Sequence, residues 1–190
     1  MDLERRQFFR RAFARSGETI VKQLDDRVAK KAANYIRPPY AIAEMEFLLA
    51  CTRCHACVEA CPHQVIFPLS NKLGTEVLGT PALSLVNKAC LLCEDFPCVS
   101  TCEPQALKKD EQAAAFPKLA KVSINVQTCL PYQGPECGVC VAACPVDGAI
   151  KLDMEKPVID VAVCVGCGQC RQACIVEPKA INISSLYQID

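Results

Sequence analysis

The chain has 190 residues, 21 basic against 21 acidic side chains, 16 cysteines and no tryptophan. That length fits one or two domains, and the cancelled charge gives no electrostatic case for a nucleic-acid partner. No apolar run approaches the ~18 residues of a membrane-spanning helix, and the mixed composition excludes a chain disordered throughout.

Residues 1–36 contain no cysteine. Through Arg37 the segment holds ten Arg and Lys against five Asp and Glu, leaving the remainder net acidic. Phe9, Phe13, Ile20, Leu24, Val28 and Ala32 fall four or seven apart, the apolar stripe of a helix, with Gly17 costing about 1 kcal/mol within it. Continuous from 3 to 34, that helix is roughly 48 Å long, too long for its own small domain to cover. We read it as a basic arm docking on another subunit or, through residues 1–34, on another copy of this chain. Packing along its own subunit and lying on a membrane surface are the alternatives. Glu4-Arg5-Arg6-Gln7-Phe8-Phe9-Arg10 is similar to a twin-arginine export signal, which needs an apolar stretch next. The chain continues instead through Arg11, Arg15, Glu18 and Lys22, so a cytoplasmic location is expected.

Beyond residue 37 the cysteines fall in four groups of four. Glu46-Phe47-Leu48-Leu49-Ala50 reads as a helix leading into the first group, Cys51, Cys54, Cys57 and Cys61, which ends in Pro62. Cys90, Cys93, Cys98 and Cys102 follow, then Cys129, Cys137, Cys140 and Cys144, then Cys164, Cys167, Cys170 and Cys174. After each fourth cysteine a small apolar pair returns: Val65-Ile66, Ala106-Leu107, Ala149-Ile150 and Ala180-Ile181. Residues 122–126 and 158–163 alternate with the period of a half-buried strand. The repeat unit is strand, cysteine loop, short helix, strand. Two longer gaps read as surface insertions, one with Gly74, Gly79 and Pro81, the other with Gln112-Ala113-Ala114-Ala115.

A [4Fe–4S] cube needs four thiolates at four corners. C-x2-C-x2-C wraps one side of it, and a fourth cysteine three residues on serves a neighbouring cube. Groups one and four keep that spacing; group two widens one gap to x4 and group three another to x7, without losing a cysteine. Sixteen thiolates at four per cube give four [4Fe–4S] clusters with none left over. Zinc has no use for a third cysteine in register, and cysteines three apart in one loop are poorly placed for disulfides. Cys51-Thr52-Arg53-Cys54-His55 also matches the C-x-x-C-H haem pattern, but both cysteines are required by the first cube. His55 reads as a loop residue beside a cluster, able to hydrogen-bond a sulfur; His63 reads as a surface residue.

Two pairings of the groups are open. In the sequential one, Cys51, Cys54, Cys57 and Cys102 hold cluster 1, and Cys90, Cys93, Cys98 and Cys61 hold cluster 2. Cys129, Cys137, Cys140 and Cys174 then hold cluster 3, and Cys164, Cys167, Cys170 and Cys144 cluster 4. A nested scheme, first group with fourth and second with third, is the alternative; the short gap between groups three and four favours the sequential one. The expected fold is α+β, with two ferredoxin-like dicluster modules at 37–115 and 116–190 preceded by the long N-terminal helix. No P-loop, dinucleotide fingerprint or spare nucleophilic cysteine is present in the sequence, so a non-catalytic electron relay is expected.

Arg37-Pro38-Pro39, Phe47 to Cys54, and Cys93-Glu94-Asp95-Phe96-Pro97-Cys98 carry a resemblance to the ferredoxin-type proteins of periplasmic nitrate reductase and methylamine systems, the NapG, NapF and MauM type. The likeness covers residue 37 to about 183. Iron–sulfur subunits of other molybdenum and tungsten enzymes look similar, including those of tungsten aldehyde oxidoreductases. The resemblance implies electron transfer to or from a separate molybdenum, tungsten or flavin catalytic subunit. A maturation or chaperone ferredoxin acting on such a subunit is the alternative. Glu103 and Ile175 stand where the pattern has proline after the fourth cysteine.

Overall fold

The computed structural model describes residues 28, 30–109 and 116–188. Residues 28 and 30–32 are helical and the chain leaves the helix in a turn at 33–34. The greater part of the expected arm over 3–34 lies outside the described residues. Among the described residues the one helix of seven residues is α1, Glu44–Ala50, so they give no support to a long N-terminal helix.

Helix α1 covers the predicted 46–50 segment. Glu44 and Glu46 occupy its first turn, where carboxylates meet the partial positive charge of exposed amides. Phe47 is buried, and the amide of Cys51 closes the last turn on the Phe47 carbonyl at 2.9 Å. Four further helices repeat one device: α2 (Ala56–Glu59), α3 (Pro97–Ser100), α5 (Val139–Ala142) and α6 (Gln169–Ala173). Each holds the third cysteine of its group at its second residue. Helices this short do not persist alone; a buried cysteine anchors each one. Helix α4 (Leu130–Gln133) fills the widened loop of group three.

Six short strands make three antiparallel pairs. Strand β1 (Ile66–Pro68) pairs with β2 (Pro81–Leu83), β3 (Ala120–Ile124) with β6 (Ile181–Ser185), and β4 (Ile150–Asp153) with β5 (Lys156–Ile159). Met154 and Glu155, at φ 45° and 65°, form the tight β4–β5 turn, the conformation that matches strand twist in a two-residue hairpin. In the second half β3–β6 is an outer pair closing around the inner hairpin β4–β5. The first half shows the same plan in reduced form. Its inner pair is β1–β2, and its outer pair shrinks to the Ala41–Leu107 bridge, flanked by Ile42 amide to Ala106 carbonyl (3.1 Å) and Lys108 amide to Tyr40 carbonyl (2.8 Å).

Most predicted strands are present with shifted ends. The alternation over 122–126 becomes Ala120–Ile124, and that over 158–163 stops at Ile159. There the Asp160 carboxylate accepts from the Ala162 amide (2.9 Å) and turns the chain. The segment with Gly74, Gly79 and Pro81 is not a surface insertion throughout: Val77 and Thr80 are fully buried and Pro81 opens β2. The second expected insertion, 112–115, lies outside the described residues.

The principal core joins the two halves, with Phe47, Ile66, Leu83, Leu85 and Leu107 packed with Leu119, Ala120 and Val165. A polar knot fixes the chain entering it. Arg37 donates to both carboxylate oxygens of Glu44, at 2.6 and 2.9 Å, and to Thr80 Oγ1 and the Pro81 carbonyl. Tyr35 donates to Glu44 at 2.8 Å, and the guanidinium lies 4.4 Å from the ring centres of both Tyr35 and Phe47. Every buried partner is satisfied, as an ion pair out of water requires.

Candidate metal centres

The cysteine loops share a backbone signature. In groups one, two and four, the residue before the second cysteine and the residue two before the third both have positive φ. They are Arg53 and His55 (60° and 64°), Leu92 and Phe96 (51° and 42°), and Gly166 and Gly168 (77° and 85°). This left-handed curl turns amides toward sulfur: Leu92 toward Cys90, Gly166 toward Cys164, Gln169 toward Cys167. Only group four uses glycine, and at Gly166 the reason is steric as well, since a Cβ there would overlap the backbone of Ala120.

The loops gather the thiols into quartets. Cys51, Cys54, Cys57 and Cys102 line one cavity together with Phe47, Ala106 and Leu107. Cys129, Cys137, Cys140 and Cys174 line a second, with Leu130, Pro157 and Ile181. The electrostatic neighbours of Cys98 include Cys90, Cys93 and Cys61, and those of Cys167 include Cys144 and Cys164. In each case the fourth cysteine of one group lies with the first three of its partner group in the same half. None of the sixteen is joined in a disulfide, and Cys54 alone among them is exposed. Among the described residues no three Cys, His, Asp or Glu side chains converge as one metal ion would need; two of the quartets line apolar cavities instead.

Burial dominates the electrostatics. It pushes the Cys57 and Cys90 thiols up to about 11, and Cys98 and Cys170 up to about 12, with neighbouring sulfurs adding to the rise. Cys129, Cys140, Cys164 and Cys167 rise for the same first reason. Such thiols stay protonated unless a cation compensates the thiolates. Thiolate is the form that ligates iron, and bound metal supplies that compensation. The donor chemistry, the apolar lining and the amide-to-sulfur bonds therefore fit an iron–sulfur cluster.

His55 does not bond a sulfur. Its Nε2 pairs with the Gly79 carbonyl at 3.0 Å, and His63 is exposed. Sequence reasoning missed Arg53. It donates to the carbonyls of Cys51, Glu76 and Leu78 at 3.2, 2.9 and 3.1 Å, tying the 76–79 segment onto the first cysteine loop. Its only sequence signal was the C-x-x-C frame around it. In group two the Leu107 amide donates to Cys102 Sγ at 3.4 Å.

Residues 121–175 match a family described as a 4Fe-4S dicluster domain, and residues 49–67 match a 4Fe-4S binding domain. The chain is 32% identical to the methylamine utilization ferredoxin-type protein MauM of Methylobacillus flagellatus, covering 95% of this chain and 83% of that one. It is 36% identical to MauM of Methylophilus methylotrophus, over 95% and 86% respectively. Identity to the ferredoxin-type protein NapG of Escherichia coli is 31%, over 96% of this chain and 86% of the relative. No solved structure matches.

Proposed function

The chain belongs to the ferredoxin-type protein family that includes MauM and NapG, and from that premise we propose that it holds four [4Fe–4S] clusters as an electron relay. All sixteen cysteines are ligands, paired sequentially: Cys51, Cys54, Cys57 and Cys102; Cys90, Cys93, Cys98 and Cys61; Cys129, Cys137, Cys140 and Cys174; Cys164, Cys167, Cys170 and Cys144. The two modules are 37–115 and 116–190. The observation that carries this reading is the lining of the two cavities, each by three cysteines of one group and the fourth of its neighbour.

The order of travel runs first cluster, second, fourth, third. Helix α2 carries Cys57 of the first cluster and leads directly to Cys61 of the second. The Cys90 amide bonds the Cys167 carbonyl, so the second adjoins the fourth. Cys140 and Cys170 pack in one apolar cluster, so the fourth adjoins the third. The first cluster, with the exposed Cys54, is a terminal electron port. The chain makes no bonds itself; it is the iron–sulfur subunit of a multisubunit molybdenum or tungsten oxidoreductase, of aldehyde oxidoreductase or nitrate reductase type. We place it in the cytoplasm. Among the described residues no helix is long and apolar enough to cross a membrane.

Anaerobic purification with iron and sulfide analysis tests the count, and the complex that accompanies the chain tests the role. Full loading, with clusters reduced during turnover of a co-purified catalytic subunit, supports the relay. Binding only to a cofactor-free catalytic subunit points to maturation. Changing Cys174 to Ser tests the pairing: the cluster of Cys129, Cys137 and Cys140 is perturbed, and perturbation of the cluster of Cys164, Cys167 and Cys170 alone overturns it.

A further inference from the structure

The junction between the halves is held by three polar side chains, two of them at positions where the other repeats carry apolar residues. Aligned on the third cysteine, Gln169, Arg171 and Gln172 of α6 correspond to Ala56, Val58 and Glu59 in group one. In group two they correspond to Pro97, Val99 and Ser100, and in group three to Val139, Val141 and Ala142. Gln169 and Arg171 therefore stand where all three sibling repeats are apolar, whereas the position of Gln172 is polar in groups one and two as well.

All three cross to the same stretch of the first half. Gln169 Nε2 donates to the Cys90 carbonyl at 3.3 Å, Gln172 Oε1 accepts from the Ala89 amide at 2.8 Å, and Arg171 Nε donates to the Val86 carbonyl at 3.1 Å. With the Cys90 amide donating to the Cys167 carbonyl at 2.9 Å, both the amide and the carbonyl of Cys90 are gripped by the fourth cysteine loop and its helix. Gly168 permits the approach: a Cβ there would stand 3.3 Å from the Leu85 carbonyl oxygen, on a backbone with φ +85°. The Cys90 thiol duly counts Cys167 among its electrostatic neighbours, ahead of Cys93 and Cys61 of its own quartet.

Resting on the relay reading above, we infer that Gln169 and Gln172 are positioning residues that fix the distance between the cluster held by Cys90 and the cluster held by Cys167. Passage between the halves depends on that step. One electron leaves the reduced core on one side and reduces the oxidised core on the other, with no bond formed or broken and no proton moved. Spacing and orientation are what these side chains supply at this junction, because they grip the backbone of Ala89 and of Cys90 itself.

The test uses the anaerobically loaded holo chain, fully reduced for the magnetic measurement and oxidised at the start of the flash-reduction measurement. Gln169→Leu/Gln172→Leu keeps its iron and sulfide content. It loses the spin–spin broadening between neighbouring clusters in electron paramagnetic resonance, and electron transfer between halves slows severalfold after flash reduction. A fully loaded double variant with unchanged broadening and rate overturns the inference and leaves the relay reading standing. Wild-type protein with fewer than four clusters, or with no interaction between them, overturns the reading itself. Two single variants serve if the double variant loads poorly. Gln172→Glu keeps the acceptor for the Ala89 amide and preserves the broadening, whereas Gln169→Glu sets an acceptor against the Cys90 carbonyl and reduces it. Equal behaviour of the two overturns the inference.

Discussion

Replacing Arg37 with Leu isolates the Glu44 carboxylate inside the protein. The pair is nearly dry, with side-chain exposures of 8% and 4%, so Glu44 keeps only the Tyr35 hydroxyl while the Pro81 carbonyl loses its donor. Removing one partner of such a pair costs about 3–5 kcal/mol. At roughly 2–4 °C per kcal/mol for a chain this size, the melting midpoint falls by roughly 6–20 °C. Glu44→Gln is milder, about 1–3 kcal/mol, because Arg37 retains Thr80, Pro81 and the faces of Tyr35 and Phe47. Replacing both charges with Leu recovers part of the single loss, since no unpaired charge is left behind. The assay is an anaerobic scan of the holo chain at one heating rate, followed by cluster absorbance. The same network adds an alkaline arm. Burial first, then Glu44, raise the Tyr35 phenol above its ordinary value. Its contribution to stability is therefore complete below about pH 10, the unfolded value, and is lost as pH rises through the elevated folded value. An Arg37→Leu protein that melts with the wild type would refute the reasoning, as would a double variant less stable than either single one.

Gly166→Ala and Gly134→Ala separate steric need from backbone strain. Both positions have positive φ, but a Cβ at Gly166 meets the Ala120 backbone while at Gly134 it meets nothing within 4 Å. Gly134→Ala costs about 1–3 kcal/mol of strain and leaves iron content intact. Gly166→Ala adds the displacement of β3 and loses the iron held by Cys164 and Cys167; equal iron content in the two proteins contradicts this account. Removing iron with a chelator abolishes the cooperative melt, because so short a chain with four quartets of cysteines draws its folding free energy from metal ligation. A cooperative calorimetric transition in iron-free protein refutes that expectation.

Cysteine spacing was legible because a cysteine loop is local: three cysteines within seven to twelve residues leave little to tertiary context. The strands that follow three of the four fourth cysteines were legible for a similar reason, as the apolar pairs at 65–66, 149–150 and 180–181 lead into β1, β4 and β6. What escaped depends on groups far apart in sequence. Arg53 and His55 are held by carbonyls of residues 76–79, and nothing near them in sequence announces it. Their left-handed backbone was equally hidden, because Arg, His, Leu and Phe carry no signal for positive φ, whereas Gly166 and Gly168 in the fourth repeat do. Aligning the repeats turns those two glycines into a key for the others, since one curl recurs just before the second cysteine and two residues before the third in groups one, two and four. The same alignment isolates Gln169 and Arg171, where the other three repeats carry apolar residues. Hidden in a single repeat, they stand out against the other three, and it is the departure from the internal pattern, rather than the pattern, that marks where one half of the molecule grips the other.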